Sequence, residues 1–352
     1  MRTRVSCQRI NVKDKNKVGQ RSTVYDVAAL AGVSPSTVSR FMNQTTYVSD
    51  AKRKQIQAAM AELGYKPGQQ TGVSSSSRTM TIGVLVQDPD SPFYSSILNG
   101  IEEVLLAQGY SHIIVTGHWN SEEEMESMQL LLSRSVDGII IVTGGLSDEQ
   151  LLEFSKKRPI VALGRALESP RLRSIKIENS VGAYMATNHL IQLGHQDIVH
   201  IKGAKGHPDT QQRYEGYCQA MEHAGLPVKL QLVEQGDFTE QGGFDAVQRL
   251  LASKRPFTAI FAANDLTAYG AMQALYQAKR AVPERVSVIG FDDIPSSAFF
   301  IPPLTTVRQP IFDTGYAAAL TILDMLNGGE AHNFRIPPIE LVKRETTQAR
   351  VG

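Results

Sequence analysis

Polar side chains follow two apolar, strand-like runs of this 352-residue chain. Asn264 and Asp265 come directly after residues 259–262, and Asp292 follows residues 287–291. Carboxylate and amide groups at the carboxyl ends of parallel strands can accept from, and donate to, the hydroxyl groups of a small molecule. The sequence therefore predicts a ligand-binding cleft at this edge of a sheet.

Arginine and aromatic side chains could complete such a cleft. A guanidinium can bridge two oxygens in a fixed fork. The ring faces of Tyr94 and Phe238 could cover a sugar ring or another flat ligand. A lining that mixes carboxylate, amide and guanidinium groups favours a ligand with many hydroxyl groups. The alternative for Asp292 is a structural role as a helix cap, and that role is the one expected for Asp293.

Catalytic chemistry has weaker support in the sequence. The candidate groups form no HExxH, GxSxG, phosphate-loop or paired-cysteine pattern. The glycine pairs at 144–145 and 242–243 are not dinucleotide fingerprints. We expect the histidines to be solvated or hydrogen-bonded locally, and we expect neither an enzyme nor a cofactor. The groups considered are the histidines 112, 118, 189, 195, 200, 207 and 223, with Asp265, Asp292 and Asp293.

A second polar face lies in residues 23–44, TVYDVAALAGVSPSTVSRFMNQ. Gly32 can take the left-handed conformation that ends a helix, while Ser34 and Pro35 are typical of the start of the next one. With Val38 and Phe41 facing inward, the outer face carries Ser, Thr, Arg and Asn but neither Glu nor Lys. Such side chains suit base edges and phosphates, so we predict a helix-turn-helix rather than an unspecialised helical hairpin. The outer residues are Ser36, Thr37, Ser39, Arg40 and Asn43.

Apolar side chains on the flanking helices should form the core of this small helix-turn-helix unit, which we call the head. Val27, Leu30 and Ala31 are spaced to form an inner stripe on the first helix. A third helix is expected after Ser49 as its cap, with Ile56, Met60 and Leu63 on its inner face and Gly64 at its end.

Charge is distributed unevenly along the chain, whose formal net charge is +1. Residues 1–67 carry 12 Lys or Arg against 4 Asp or Glu, whereas the remainder carries 24 against 31. A basic head on a mildly acidic body indicates a polyanionic partner for the head. Two distant cysteines exclude a disulfide framework and fit a reducing cytoplasm. No apolar run long enough for a membrane span occurs, and the basic amino terminus lacks the apolar core of a signal peptide.

Strand-like and helix-like segments alternate after a Gly- and Ser-rich linker at 68–79. Such a rhythm predicts a parallel sheet covered on both faces. Two successive sets of about five strands each indicate two similar lobes with a cleft between them. The predicted strands are 81–86, 112–116, 138–143, 160–163, 198–201, 230–233, 259–262 and 287–291.

Several segments resemble the lactose-repressor (LacI/GalR) family of bacterial regulators. The head, VYDVAALAGVSPSTVSRFMNQ and VSDAKRKQIQAAMAELGYKP, is similar to that family's DNA-binding head. The resemblance extends over residues 22–347 and implies an all-α helix-turn-helix head joined to an α/β, two-lobed effector domain of the periplasmic-binding-protein type. The matching body segments are DPDSPFYSSILNGIE, NHLIQLGHQDI, RYEGYCQAM, FAANDLTAYGAMQAL, VPERVSVIGFDDI and PPLTTVRQP.

The resemblance also implies which head residues touch DNA. Pro35 and Ser36, at the start of the recognition helix, would select the operator sequence, and readout by Pro35 would have to be an apolar contact. The remaining contacts to phosphates or base edges would come from Tyr25, Ser34, Thr37, Ser39, Arg40 and Asn43, and a phosphate clamp from Tyr47, Val48, Ser49 and Lys52.

The linker departs from the family pattern. Relatives place a leucine that wedges into the minor groove where this chain has Ser74, and serine cannot unstack a base step as an apolar wedge does. Gly68 and Gly72 are also poor helix formers. A loose tether is therefore expected in place of a hinge helix, with Val73 as the apolar alternative for a wedge.

In the body, the resemblance implies an effector cleft lined by Tyr94, Arg165, Arg213, Phe238, Asn264 and Asp292. The effector would be a sugar or sugar phosphate, with a purine or nucleoside as the alternative. The protein is expected to be a cytoplasmic, nucleoid-associated homodimer that binds double-stranded operator DNA. Neither a membrane nor a metal ion is expected among its partners. It would repress a carbohydrate-utilisation operon; a sugar-binding transport protein is a weaker alternative, since it would need a secretory signal and no basic head.

The expected domain organisation has four parts. Residues 1–21 form a disordered basic tail, 22–67 the helix-turn-helix head, 68–80 the hinge linker and 81–347 the effector and dimerisation domain. Within that domain the first lobe would comprise about 81–178 and 308–338, and the second about 179–307 and 339–347.

Overall fold

The computed structural model describes residues 24–43, 48–63, 78–329 and 334–350. The chain separates into two compact units, residues 1–77 and residues 78–352. The expected tail at 1–21, Tyr47, and the linker with Val73 and Ser74 lie outside the described residues.

The first unit contains three short helices, α1 (Val24–Leu30), α2 (Pro35–Asn43) and α3 (Asp50–Glu62). Gly32 ends α1 in the left-handed region at φ +66°, as its lack of a side chain allows. The hydroxyl of Ser34 accepts the Thr37 backbone N–H at 3.3 Å, so Ser34 caps α2 as predicted. Val38 and Ile56 are fully buried in the core of this unit.

One expectation for the head was wrong. Leu30 is 46% exposed, and Ala28 is buried instead, because the inner stripe of α1 runs through positions 27, 28 and 31. Ser49 occupies the N-cap position of α3 as expected, although its hydroxyl makes no capping hydrogen bond.

The second unit begins with a five-stranded parallel sheet of order β2-β1-β3-β4-β5. Its strands are continuous apolar runs because both faces are covered by helices. Its elements are β1 (Thr81–Val86), α4 (Pro92–Ala107), β2 (Ser111–Thr116), α5 (Ser121–Ser133), β3 (Gly138–Val142), α6 (Asp148–Ser155), β4 (Ile160–Leu163) and β5 (Leu172–Ile175).

A six-stranded sheet follows, with the order β11-β10-β9-β8-β6-β7. All its neighbouring strands are parallel except β10 and β11. Its elements are α7 (Asn179–Gln192), β6 (Ile198–Lys202), α8 (Pro208–His223), β7 (Val233–Gln235), α9 (Glu240–Ala252), β8 (Ala259–Ala262), α10 (Asp265–Gln277), β9 (Ser287–Asp292), β10 (Thr305–Arg308) and β11 (Glu340–Val342).

The chain passes between the two sheets three times. The passages lie between β5 and α7, between β10 and helix α11 (Ile311–Asn327), and between α11 and β11. Helix α11 packs on α4 and on strands of the first sheet, whereas α7 packs on α8 and on strands of the second.

Three strands were absent from the prediction, namely β5, β10 and β11. They have three or four residues each and mixed burial, so they lack the long apolar run that marked the others. The strand expected at 230–233 is instead a 3₁₀ turn at Leu230–Leu232 that leads into β7. Among the described helices, none is both long and apolar enough to cross a membrane.

Candidate functional site

The topology brings particular strand ends together at one cleft. In the first sheet the chain order reverses beside β1, which lies between β2 and β3; in the second it reverses between β6 and β8. Open α/β sheets bind ligands outside the carboxyl ends of strands at such switch points. A cavity of about 130 Å³ lies there, with lining residues that follow strands of both sheets.

Five of the six residues predicted for the effector cleft line this cavity. They reach it from both sheets, since one follows β1 and the others follow strands of the second sheet or lie on α8. These residues are Tyr94, Arg213, Phe238, Asn264 and Asp292.

Arg213 lies at the centre of the polar lining. It is 3% exposed, and its guanidinium carbon lies 3.9 Å from the centre of the Phe291 ring. Its Nε donates to the Asn179 side chain at 2.9 Å, and Nη1 donates to the carbonyl of Ala263. Its Nη2 lies 3.6 Å from the Asp292 carboxylate, and both side chains of this ion pair are buried. The fork is therefore held in one orientation before any ligand arrives.

Asp292 has a positive backbone φ and a raised side-chain pKa. Its φ is +113°, a region that residues with a side chain rarely adopt. The Gln309 side chain donates to its Oδ1 at 2.7 Å. Burial raises the pKa of Asp292 to about 6, opposed by the neighbouring Arg213 guanidinium. The carboxylate is thus charged near neutral pH and poised to lose that charge in mild acid.

Tyr94, Phe238 and Asn264 shape the cavity. Thr143 donates its hydroxyl hydrogen to the Val142 carbonyl, so the hydrogen bond of 3.0 Å between Thr143 and Tyr94 is donated by Tyr94. Burial raises the pKa of Tyr94 well above its usual value. The Asn264 amide donates to the Phe238 carbonyl and accepts from the Thr267 backbone, both at 2.9 Å. Asn264 thereby holds the Phe238 loop against the start of α10.

Left-handed backbone conformations occur repeatedly around the cavity. Thr143, Trp119 and Phe238 have φ of +55°, +59° and +71°, in addition to Asp292 at +113°. A Cβ on Gly203 would lie 2.0 Å from the Phe238 ring, so only glycine allows that ring its position. Non-glycine residues in this region cost of the order of 1 kcal/mol each and cluster at functional sites.

Arg165, the sixth predicted residue, is not among the residues that line this cavity. Its Nη2 donates to the carbonyls of Gly144 and Leu146 at 2.8 and 2.7 Å, and Nη1 lies 3.4 Å from Asp148. Its guanidinium therefore supports the loop that follows β3.

Sequence reasoning missed Trp119, His207 and Asp209, which also line the cavity. Each follows the carboxyl end of a strand, β2 for the first and β6 for the other two. The position after the end of a strand, which Asn264 shares, is therefore the sequence signal that marks them as well. His207 is one of the histidines expected to be solvated or hydrogen-bonded locally, but its Nε2 is buried without a hydrogen-bond partner among the described residues.

A polar network links the cavity to the passages between the sheets. Asn179 stands just after the first passage; its amide nitrogen donates to Asp209 at 3.0 Å while its oxygen accepts from Arg213. Gln309 stands at the second passage and binds Asp292. The cavity lining is thereby hydrogen-bonded to one residue at each of these two passages.

The described part of the head places its predicted DNA contacts as follows. Ser34, Pro35, Arg40, Ser49 and Lys52 are exposed and Thr37 is half-buried. Val48 is 5% exposed and packs in the core, so a phosphate contact there would have to use its backbone N–H. The side chains of Tyr25, Ser36, Ser39 and Asn43 lie outside the described part.

Comparison with known proteins assigns both units. Residues 79–345 match the family described as periplasmic binding proteins and sugar binding domain of LacI family. Residues 23–68 match bacterial regulatory proteins of the lacI family. The first match spans well over half of the chain.

Individual relatives cover nearly the whole chain. The HTH-type transcriptional repressor PurR of Aliivibrio fischeri (strain MJ11) is 34% identical over 94% of this chain and 99% of its own length. Two solved structures are similar over their full length, the CelR–cellobiose complex (TM-score 0.68, 32% identity, 93% of this chain) and the Lac repressor dimer bound to operator (TM-score 0.70, 30% identity, 94% of this chain). The chain belongs to the LacI family of bacterial regulatory proteins, and it is a DNA-binding transcriptional regulator, not an enzyme.

Proposed function

We propose that this regulator is a homodimer whose affinity for operator DNA is controlled by a small molecule bound in the cavity between its two sheets. The observation that carries the proposal is the convergence of Tyr94, Arg213, Phe238 and Asp292 from both sheets on one cavity. A regulator of operator DNA works where the chromosome is, which supports a cytoplasmic location.

The head would read the operator through α2. Pro35 and Ser36 open this helix, and the charge-poor outer face with Thr37, Ser39 and Asn43 suits base edges. Arg40, Ser49 and Lys52 would contact phosphates, which position a head without specifying sequence. Tyr25, Ser34, Tyr47 and Val48 complete the proposed set.

The effector would be a small molecule with many hydroxyl groups. Carboxylate, amide and guanidinium groups in the cavity support this class, since each bonds well to hydroxyls. The related CelR was solved with cellobiose, which supports a sugar or sugar phosphate, and a purine or nucleoside is the alternative. The repressed genes would then serve carbohydrate utilisation.

Binding would act through the position of the sheets. The cavity of about 130 Å³ is smaller than the ~300–1000 Å³ of typical small-molecule sites, so the sheets must part to admit a ligand. A ligand then shifts operator affinity only by the difference between its affinities for the two arrangements. Asn179 and Gln309 would carry that difference to the passages between the sheets.

Selection of bound sequences from random DNA tests the regulator's proposed readout. The full-length protein should enrich an inverted repeat, because a two-fold dimer presents two equivalent heads. Adding members of a sugar and nucleoside panel to the bound complex should change operator affinity for at least one compound. Enrichment of single half-sites only, or an affinity that no compound changes, would contradict the proposal.

An exposed apolar surface supports the homodimer. Tyr276, Phe299 and Ile301 are 78%, 84% and 90% exposed and border a groove of about 1030 Å³ on the second sheet's lobe. Contiguous apolar surface of this kind marks an interaction site. The related Lac repressor was solved as a dimer on operator.

Ile301→Asp is expected to yield a monomer that binds operator about a hundredfold more weakly, since joining two heads makes the second contact intramolecular. Leu230→Asp is the matched control because Leu230 is 74% exposed and does not line the groove. Sedimentation velocity and fluorescence anisotropy with labelled operator measure both effects. A dimeric Ile301→Asp protein would exclude this surface as the interface.

Effector affinity is expected to fall as the pH drops below about 6. Burial raises the pKa of Asp292 to about 6. Above that pH the carboxylate pairs with Arg213 and accepts from ligand hydroxyls; once protonated it loses its charge and with it the ion pair. Calorimetric titration from about pH 5 to about pH 8 measures the profile. Asp292→Asn should bind weakly throughout, and an equally steep profile in that variant would assign the titration to another group.

A further inference from the structure

Trp119 lines the cavity on the side of the first sheet. Its ring packs against two rings from the second sheet's side, those of His207 and Phe238. Trp119 follows β2, and its backbone N–H donates to the Gln87 side chain at 2.8 Å. Its ring centre lies 4.3 Å from that of His207, edge to face, and 6.2 Å from that of Phe238 at a tilt of 31°. These two rings come from opposite sheets, tilted by 31° with their centres 6.2 Å apart, so a parting of the sheets would open a space between them for a third ring.

The charge of the lining is strongly negative. Five carboxylates border the cavity, whereas Arg213 is the one cation among its described lining residues. Arg213 is already paired with Asp292 at 3.6 Å, which leaves four carboxylates without a cation in the lining. A phosphate monoester brings about two further negative charges at neutral pH, and like charges in a partly desolvated site repel strongly. The four carboxylates are those of Asp88, Asp209, Asp237 and Glu240.

His207 supplies a neutral hydrogen-bond donor. The Asp209 backbone N–H donates to its Nδ1 at 3.1 Å, so in the neutral ring the proton is on Nε2. His207 is 7% exposed, and Nε2 is buried without a hydrogen-bond partner among the described residues. Burial lowers the pKa of His207, opposed by the charge of Asp209. The ring therefore offers a ligand an N–H group and no positive charge that would attract an anion.

We propose that this cavity selects an uncharged ring compound and excludes its phosphate esters, with Trp119 and Phe238 clamping the ring and His207 donating to it. The inference rests on the proposed function, which places an effector in this cavity, and narrows its chemistry. A free sugar and a nucleoside share the required features, namely a ring face and neutral acceptors. Because Trp119 and Phe238 come from opposite sheets, a ring between them also bridges the sheets.

Trp119 is the one tryptophan of the chain, so tryptophan emission of the full-length protein reports this cavity alone. Quenching by acrylamide, iodide and caesium measures access and charge without requiring the effector. Relative to N-acetyltryptophanamide, caesium should quench at least about threefold better than iodide, because four carboxylates attract the cation. The Asp88→Asn/Glu240→Gln variant should lower that preference, while Glu215→Gln/Glu222→Gln, equal in charge but outside the lining, should retain it. Iodide quenching equal to or stronger than caesium quenching would overturn the proposal.

Pairs of compounds that differ only in a phosphate ester then test the ligand class, and they separate sugars from nucleosides. Ribose, glucose and adenosine are each compared with the corresponding phosphate ester for their effects on operator affinity and on Trp119 emission. The unphosphorylated compounds should be the ones that change operator affinity. Trp119→Leu should raise the effector concentration needed for half of that change by about tenfold, because the ring contact is lost. Trp119→Phe keeps a ring and should lie much closer to the parent. An active phosphate ester, or an effector that leaves the emission unchanged, would refute the inference. If no compound changed operator affinity while the caesium preference held, the proposed function would fail and the charge selection would stand.

Discussion

Replacement of Arg213 by alanine is expected to abolish the effector response of operator binding while leaving operator affinity without effector within about threefold of the parent. Arg213 is buried, and it holds Asn179, the Ala263 carbonyl and Asp292 in place. Its loss removes the fork that would bind ligand oxygens and leaves the Asp292 carboxylate buried without its cation. Effector affinity should therefore fall at least about a hundredfold, equivalent to roughly 3 kcal/mol. The head is a separate compact unit, so its contacts with DNA should persist.

The control for this prediction is Arg213→Lys, which keeps the charge and loses the planar fork. It should show a weakened but measurable response. Because breaking a buried ion pair can cost about 3–5 kcal/mol of stability, thermal melts must show that the alanine variant is folded at the assay temperature. A folded Arg213→Ala protein that responds normally to effector would remove this cavity as the effector site.

Val38→Ser is expected to eliminate specific operator binding while effector binding stays intact. Val38 is fully buried between the helices of the head. Serine there deletes apolar contacts and buries a hydroxyl, at a combined cost of roughly 3 kcal/mol. A three-helix unit of this size has little stability to spare. Operator affinity should fall more than about a hundredfold, whereas calorimetric titration of the effector should be unchanged.

Leu30→Ser is the matched control, because Leu30 is apolar and on the neighbouring helix but 46% exposed. Leu30→Ser should leave the head folded, and circular dichroism of the variant should show the helix content of the parent. If both variants lost operator binding equally, the loss could not be assigned to the core of the head. Retained binding by Val38→Ser would show that α2 does not need this core to reach DNA.

Strand ends were the most informative part of the sequence. The apolar runs at 81–86, 160–163 and 259–262 are the strands β1, β4 and β8, because fully covered strands need unbroken apolar side chains. Asn264 and Asp292 then stand at the cavity simply because they follow such runs. The head was predictable for a similar local reason: Gly32 and Ser34 specify the turn between α1 and α2 by their own conformational and capping properties.

Other features depend on tertiary contacts that a local pattern does not record. The short strands β5, β10 and β11 are strands only because neighbours supply their hydrogen bonds. Trp119 acquires its place from two rings of the other sheet, far away along the chain. Arg165 bonds to the loop after β3 because two carbonyls there are within reach, which its position in the sequence does not indicate.

One titration shows whether the cavity controls operator binding. Full-length protein bound to fluorescently labelled operator is titrated with the sugar and nucleoside panel, while DNA anisotropy and Trp119 emission are followed in the same cuvette. At least one compound should change both signals with the same midpoint, and both changes should be lost in Arg213→Ala. A compound that changes operator affinity in parent and Arg213→Ala alike, with no change in Trp119 emission, would contradict control of this regulator from the cavity between its sheets.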